Sequence, residues 1–143
     1  MNQSKKYSLE IRVRWNELDS NNHVNNSYYF NYFDEARMTA LDEMGFGLAS
    51  MRDKDIGPAI YKAELEFQKP LHHPESVIVD THFENTIKFR SECVQTIYRK
   101  SDNGIVCKAR FYCLFIRIST AKPFRANGDE FNRITKMLTN KDD

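Results

Sequence analysis

Residues 15–37 hold the side chains that could do chemistry together. The segment contains an acid, Asp19, then His23, and then two amides, Asn25 and Asn26, just before an expected helix N-terminus. Backbone N–H groups are free at such an end and, with the helix dipole, stabilise negative charge. They could stabilise an oxyanion at a carbonyl while a nearby carboxylate attacks that carbonyl or activates a water. The pattern fits acyl transfer, but the same residue types also form turns and caps, and spacing alone leaves both roles open.

A helix is predicted directly after this segment. Asn26 or Ser27 is expected to cap its N-terminus, and Gly45 is well placed to end it. Apolar residues recur at steps of three and four, which places them on one helical face. Because this face is rich in aromatic residues, we expect it to pack on a broad surface. It comprises Tyr29, Tyr32, Phe33, Ala36, Ala40, Leu41 and Met44.

Strands are predicted on both sides of this helix in the sequence. The last of them is apolar on both faces in its middle, so it should lie centrally in a sheet and be covered on two sides. Each strand is indicated by alternation of apolar and polar residues, or by an apolar run, between turn residues. The strands fall at residues 7–15, 61–67, 77–83, 90–98 and 105–118.

The order of the elements predicts the fold class. One long helix with mostly hairpin-connected strands is an α+β layout, with an antiparallel sheet of about five strands in a single domain over residues 1–143. The sheet should bury one face on the helix and the other on a second subunit. We expect an irregular connection with one helical turn at 47–57, a hairpin turn at 100–104 and a short closing helix at 128–138.

Composition excludes several classes of function. The 21 basic and 20 acidic residues leave a formal net charge of +1, which argues against a nucleic-acid partner, since phosphate binding normally needs a basic excess. No apolar run is long enough for a secretory signal or a membrane span, so we expect a cytoplasmic protein. The three cysteines are odd in number and lack CxxC spacing, which indicates buried, reduced thiols.

Two other chemical motifs are not supported. His72 and His73, with His82 further on, have no cysteine or carboxylate at ligand spacing, so a polar turn explains the pair better than a metal site. The sequence has no Gly-x-Ser-x-Gly elbow, and a serine hydrolase is therefore not supported.

The segment from Asp19 to Arg37 resembles a known signature. It reads Asp, three residues, His-Val-Asn-Asn, then Tyr29, Tyr32 and Ala-Arg at fixed spacing. This pattern is similar to that of the hotdog acyl-CoA thioesterases related to 4-hydroxybenzoyl-CoA thioesterase. Residues 67–71 (FQKPL) and 120–123 (TAKP) are similar to further segments of that family. The resemblance implies the hotdog fold, in which an antiparallel sheet wraps around one long helix.

The resemblance also implies roles for residues in this segment. Asp19 occupies the position of the catalytic carboxylate, acting as nucleophile or as general base on water. Asn26 matches the position whose backbone N–H polarises the thioester carbonyl, and His23 matches a site position of undefined role. Asn25 is expected to hold the loop or to touch the substrate. Tyr29, and with it Tyr32, is expected to support the helix beneath the acyl pocket.

Coenzyme A carries phosphates, so the resemblance implies basic residues at the pocket mouth. The candidates lie near strand ends or in the turn after the last strand, although each also fits an ordinary surface charge. They are Lys88, Arg90, Lys122 and Arg125. Such enzymes form homodimers or homotetramers with the active site between subunits, in agreement with the second apolar face expected for the sheet.

The predicted function is hydrolysis of an acyl-CoA thioester to free acid and CoA, without metal or organic cofactor. The loop of residues 20–25 is polar and lacks glycine, so it resembles the fatty acyl thioesterases of the family more than those with aromatic substrates. The resemblance implies a role in fatty acid metabolism, and one loop does not fix the length of the acyl chain. Two alternatives stay open: a thioesterase acting on acyl carrier protein, and a non-catalytic hotdog module that binds acyl thioesters.

Overall fold

The computed structural model describes residues 3–123 and 128–139, with side chains of the last helix described from residue 132 onwards. A single 3₁₀ turn at Trp15–Glu17 lies between the first strand and the first helix. The elements in chain order are β1 (Tyr7–Arg12), α1 (Asn26–Glu43), α2 (Leu48–Lys54), β2 (Ile56–Phe67), β3 (Ser76–Ile87), β4 (Arg90–Arg99), β5 (Ile105–Arg117), β6 (Lys122–Pro123) and α3 (Gly128–Thr139).

The strands form one antiparallel sheet against which α1 packs. Its order is β1-β3-β4-β5-β2, with the short β6 paired to the end of β5. This is the α+β layout predicted from the sequence, with one long helix and hairpins joining β3 to β4 and β4 to β5. No helix within the described residues is long and apolar enough to cross a membrane.

The core lies between α1 and the sheet. Phe33, Leu41 and Ala40 of α1 are at most 1% exposed, and alternate residues of β3, β4 and β5 face them.

A polar network crosses the interface between α1 and the sheet. Gln95 donates to the backbone carbonyl of Phe33 and to the Thr81 hydroxyl, both at 2.9 Å, and it accepts from the Arg37 guanidinium at 3.2 Å. Because an unpaired buried polar group costs free energy, these hydrogen bonds favour one position of α1 on the sheet.

The helix ends differ from the prediction at one terminus. Asn25, not Asn26 or Ser27, caps α1, because its side-chain oxygen accepts the backbone N–H of Ser27 at 3.0 Å. Gly45 follows the helix with φ +92°, a backbone conformation that favours glycine, and the predicted end is confirmed.

The first strand is shorter than the alternation predicts. It ends at Arg12, and Trp15 lies in the 3₁₀ turn with 74% of its surface exposed. The chain leaves the sheet because the Arg14 N–H donates to the carboxylate of Glu17, which closes the turn. The prediction of a strand over residues 7–15 is therefore wrong in its last three residues.

The second strand is longer than predicted and contains a β-bulge. It begins at Ile56, inside the segment expected to be irregular, and the helical turn expected there is the seven-residue α2. Ile60 pairs with Cys113 and Lys62 pairs with Tyr112, so Tyr61 is the extra residue of the bulge. A bulge shifts the alternation by one residue, which explains why the period of two indicates a strand only from residue 61.

The last strand lies inside the sheet, between β4 and β2, as predicted. Its two faces differ, however. Residues such as Phe111 and Phe115 are buried, whereas Lys108 is exposed and Arg110 is half-buried on the other face. Arg110 forms ion pairs of 2.7 Å with Glu84 and Glu92 on that side. Coverage of this second face by another subunit stays a prediction.

Candidate active site

Asp19 lies in a tight turn between the 3₁₀ turn and α1. Its backbone N–H donates to the carbonyl of His23 at 2.7 Å. Its Oδ1 accepts the backbone N–H groups of Asn21 and His23 at 2.8 and 3.2 Å. Oδ2 has no hydrogen-bond partner among the residues that the structure describes. The turn therefore holds the carboxylate by one oxygen and leaves the other free for chemistry.

The N-terminus of α1 begins directly after this turn. Asn25 links the two, since its backbone N–H donates to the Glu17 carbonyl at 2.9 Å while its side chain caps the helix. Asn26 is the first helical residue, and its N–H meets no acceptor in the described part of the chain. A free N–H at a helix N-terminus is suited to an anionic oxygen.

A pocket of about 250 Å³ brings these residues together. Its lining consists of Asp19, His23, Val24, Asn26 and Tyr29, together with residues 67–70 at the end of β2 and just after it. The site residues that the sequence indicated, Asp19, His23, Asn26 and Tyr29, thus share one cavity. Asn25 does not line it, because its side chain is engaged in the helix cap.

Aromatic rings form the apolar wall of this pocket. The rings of Tyr29 and Phe67 lie 5.3 Å apart, and Tyr29 is only 3% exposed, whereas Phe67 is 47% exposed. Burial raises the pKa of the Tyr29 hydroxyl to about 12, and Cys107 and Asp19 add to this effect, against a backbone hydrogen bond from Leu71. Tyr29 is therefore neutral at physiological pH and contributes an uncharged ring and hydroxyl.

A buried carboxylate, that of Glu17, holds α1 on the 3₁₀ turn. Glu17 is 9% exposed and accepts the Tyr32 hydroxyl at 2.7 Å. Burial and this hydrogen bond raise the pKa of Tyr32, so the tyrosine stays a donor. Tyr32 does not line the pocket but holds α1 on the 3₁₀ turn.

Two residues of the site were missed in the sequence. Lys69 lines the same pocket as Asp19, and the His72 ring lies 4.7 Å from that of His23. Both follow β2. Lys69 lies in the segment 67–71 that is similar to one of the hotdog family, whereas His72 lies just beyond it and was assigned to a polar turn. That similarity suggested no function for either side chain.

The basic residues expected at the pocket mouth lie elsewhere in the chain. Phe67 pairs with β5 at Cys107, whereas Arg90 pairs with it at Leu114, roughly 20 Å further along at about 3.3 Å per residue. Lys88 and Arg90 line a separate cavity of about 570 Å³ with Tyr61 and Tyr112. Lys122 lies further away, opposite Arg117. Arg125 falls outside the described residues.

The arrangement supports nucleophilic or general-base chemistry at a carbonyl. A substrate carbonyl in the pocket can point its oxygen at the free N–H of Asn26 while its carbon faces the free oxygen of Asp19. No cluster of three or more metal-ligating side chains occurs in the described ranges.

Comparisons with known proteins find two curated relatives of this chain. A provisionally named esterase of Aquifex aeolicus is 35% identical over 78 residues, which cover 54% of this chain and 61% of the relative. YneP of Bacillus subtilis, provisionally named an acyl-CoA thioesterase, is 29% identical over 89 residues, covering 62% and 64%. The matched part of the chain thus spans less than two thirds of each curated relative.

The fold also matches a solved structure. DHNA-CoA thioesterase of Staphylococcus aureus superposes with a TM-score of 0.81 and 24% identity, covering 95% of this chain and 91% of that one. The expected hotdog fold is confirmed. Residues 13–134, most of the chain, match the model of the thioesterase-like superfamily. The protein therefore belongs to the thioesterase-like superfamily.

Proposed function

We propose that this protein hydrolyses acyl-CoA thioesters to the free acid and CoA, with Asp19 as the catalytic carboxylate. One observation carries the proposal: the free oxygen of Asp19 and the free N–H of Asn26 belong to residues that line the same pocket. Membership of the thioesterase-like superfamily and the similarity to YneP support the same reaction class.

The chemistry follows from this pair. The thioester oxygen accepts the Asn26 N–H at the positive end of α1, which stabilises the negative charge that develops on attack. Asp19 either attacks the carbonyl carbon, giving an anhydride that water then cleaves, or removes a proton from the attacking water. In both routes the C–S bond breaks, the CoA thiolate leaves, and one water is consumed.

For the acyl group, a fatty acyl chain is our first candidate. The polar loop of residues 20–25 resembles that of fatty acyl thioesterases. The aromatic pair of Tyr29 and Phe67 favours an aryl acyl group as the second candidate, because two rings 5.3 Å apart offer a surface on which a planar group can stack. An acyl group borne by a carrier protein would present the same thioester to the same residues.

A second copy of the chain is the partner that we propose. The outer edge of β2 pairs with no other strand of the described residues. The exposed apolar side chains Ile60 and Tyr61 lie along it, and Phe30 of α1 is 48% exposed. An unpaired strand edge with apolar flanks is a ready template for antiparallel pairing with another copy.

Such pairing would give the basic residues that lie far from the Asp19 pocket a role in the pocket of the other copy. Two β2 strands related by a twofold axis run in opposite directions, so the Phe67 end of each faces the first half of the other copy's strand, which lies level with that copy's Arg90. The Lys88 and Arg90 of the partner would then approach the Asp19 pocket and bind CoA phosphates, together with Lys69 from the same chain as Asp19. A cytoplasmic location accords with the three buried free cysteines.

The test is thiol release from a panel of acyl-CoAs, from acetyl to palmitoyl with benzoyl and 4-hydroxybenzoyl, and from acyl carrier protein thioesters. Asp19→Asn should lose several orders of magnitude in kcat, because it removes a step of the reaction. Asp53→Asn, at an exposed aspartate on α2, is the matched control and should keep full activity. Full activity of folded Asp19→Asn would refute the assignment of Asp19. Binding without turnover on every thioester would indicate the non-catalytic module.

A further inference from the structure

The segment that follows β2 contacts the turn carrying Asp19. Leu71 is fully buried, and its carbonyl accepts the Val24 N–H at 2.9 Å. The next residue, His72, places Nδ1 3.3 Å from the carbonyl oxygen of Asn22. The two loops, about fifty residues apart in sequence, are thus joined on both sides of His23.

Asn22 lies in the Asp19 turn and has a left-handed backbone conformation. Its φ of +60° is left-handed, a conformation that asparagine tolerates better than most residues but that still needs support. It lies between Asn21 and His23, whose backbone N–H groups both donate to Oδ1 of Asp19. The Asn22 carbonyl belongs to the same peptide unit as the His23 N–H, so a shift of this carbonyl would move that donor directly and would disturb the turn that holds the Asn21 N–H.

We propose that His72 is a positioning residue, which donates through Nδ1–H to the Asn22 carbonyl and thereby fixes the orientation of the Asp19 carboxylate. This inference rests on the proposed function, in which Asp19 attacks or activates water. The carbonyl can only accept, so Nδ1 carries the hydrogen. The ring also meets His23 edge-on, at 4.7 Å and 73°, and the experiment must separate that contact from the hydrogen bond.

Two substitutions separate them. His72→Asn retains an N–H donor near the position of Nδ1 but removes the ring, and His72→Phe retains a ring beside His23 but removes the donor. His73→Phe is the control, because His73 is the adjacent exposed histidine and does not line the pocket.

The hydrogen bond is expected to control kcat. His72→Phe should lower kcat about 10- to 100-fold, the order expected when a catalytic group is displaced by a fraction of an ångström to one ångström. KM should change by less than about twofold, since substrate binding is retained. His72→Asn should keep most of the activity and His73→Phe all of it. Full activity of His72→Phe, or an equal loss in His72→Asn, would overturn the proposal.

A second measurement is independent of turnover. Hydrogen exchange of the Asn21 and His23 amides should accelerate in His72→Phe and stay near the wild-type rate in His72→Asn, and unchanged exchange in His72→Phe would refute the positioning role. If the wild type cleaves no thioester, the proposed function fails while this measurement still decides on His72. If only Asp19→Asn loses activity, the function stands and the role of His72 is rejected.

Discussion

The carboxylate of Glu17 accepts the hydroxyl of Tyr32 and the backbone N–H of Arg14, both at 2.7 Å. The backbone carbonyl of Glu17 also accepts the N–H of Asn25, the residue that caps α1. One buried residue thus joins the end of β1, the Asp19 turn and the first turns of α1. These contacts fix where the helix N-terminus lies relative to the Asp19 turn.

Removing the Tyr32 hydroxyl should destabilise the protein. Tyr32→Phe leaves the buried Glu17 carboxylate with the Arg14 N–H but without its side-chain donor, and the loss of a hydrogen bond to a charged group costs about 1.5–3 kcal/mol. Tyr112→Phe is a matched control, because the Tyr112 hydroxyl donates at 2.6 Å to Glu64, which is exposed. Exposed partners are resolvated by water, so that loss should stay below about 1 kcal/mol. Urea unfolding of both variants measures the difference, and equal losses would contradict a special role of the buried pair.

A second prediction concerns acid sensitivity. Burial by itself raises the pKa of Glu84, but hydrogen bonds from His82 and Arg110 outweigh it and lower the pKa below the ordinary value. Because its pKa is lower in the folded state, the Glu84 carboxylate stabilises the fold at pH values above its unfolded pKa, which is about 4.3 for glutamate. This contribution is lost as the pH falls through the folded-state pKa.

Glu84→Gln should therefore reduce stability at neutral pH. Below about pH 4.5, the stability of this variant should fall less steeply with pH than that of the wild type. Exposed Asp55 and Asp102 also have lowered pKa values and contribute to the acid limb, so only the difference from the wild type is diagnostic. Thermal unfolding at a series of pH values gives that difference. Glu43→Gln, at an exposed glutamate, should follow the wild-type curve, and a parallel curve for Glu84→Gln would show that its ion pairs do not influence folding.

The sequence predicted elements well where the local period was undisturbed. The strand near Val79 alternates and the strand near Phe111 is an apolar run between turn residues, and the structure places β3 and β5 there. It failed where a local contact overrides the period. Trp15 continues the alternation of β1, but the Glu17 carboxylate draws the chain into a turn, and the bulge at Tyr61 hides the start of β2.

In the candidate site, too, residues close in sequence could be predicted, whereas residues brought together only by the fold could not. Asp19, His23 and Asn26 are close in sequence, and their common pocket could be expected from the helix that follows them. His72 reaches the same turn only because β2 returns the chain to it, and no local pattern encodes that contact. Arg90 carries a suitable charge but sits at the opposite end of the sheet, a placement that depends on the register of three strands.

That placement leads to the last prediction, which tests whether the site spans two chains. Asp19→Asn lacks the carboxylate, whereas Lys88→Ala with Arg90→Ala lacks the charges proposed to come from the partner. If β2 edges pair antiparallel, a mixed dimer combines an intact Asp19 from one chain with intact basic residues from the other at one of its two sites. Each variant alone should be weak on CoA substrates.

Unfolding, mixing in equal amounts and refolding should then restore activity to about a quarter of the wild type, because half of the dimers are mixed and each has one complete site. Asp19→Asn mixed with Asp19→Ala is the control and should recover nothing, since no mixed dimer contains the carboxylate. If the mixture shows only the mean of its two components, the basic residues do not act across the interface. A monomer by light scattering would exclude such action as well, because no β2 edge would then be paired and Lys69 would be the cation left facing the Asp19 pocket.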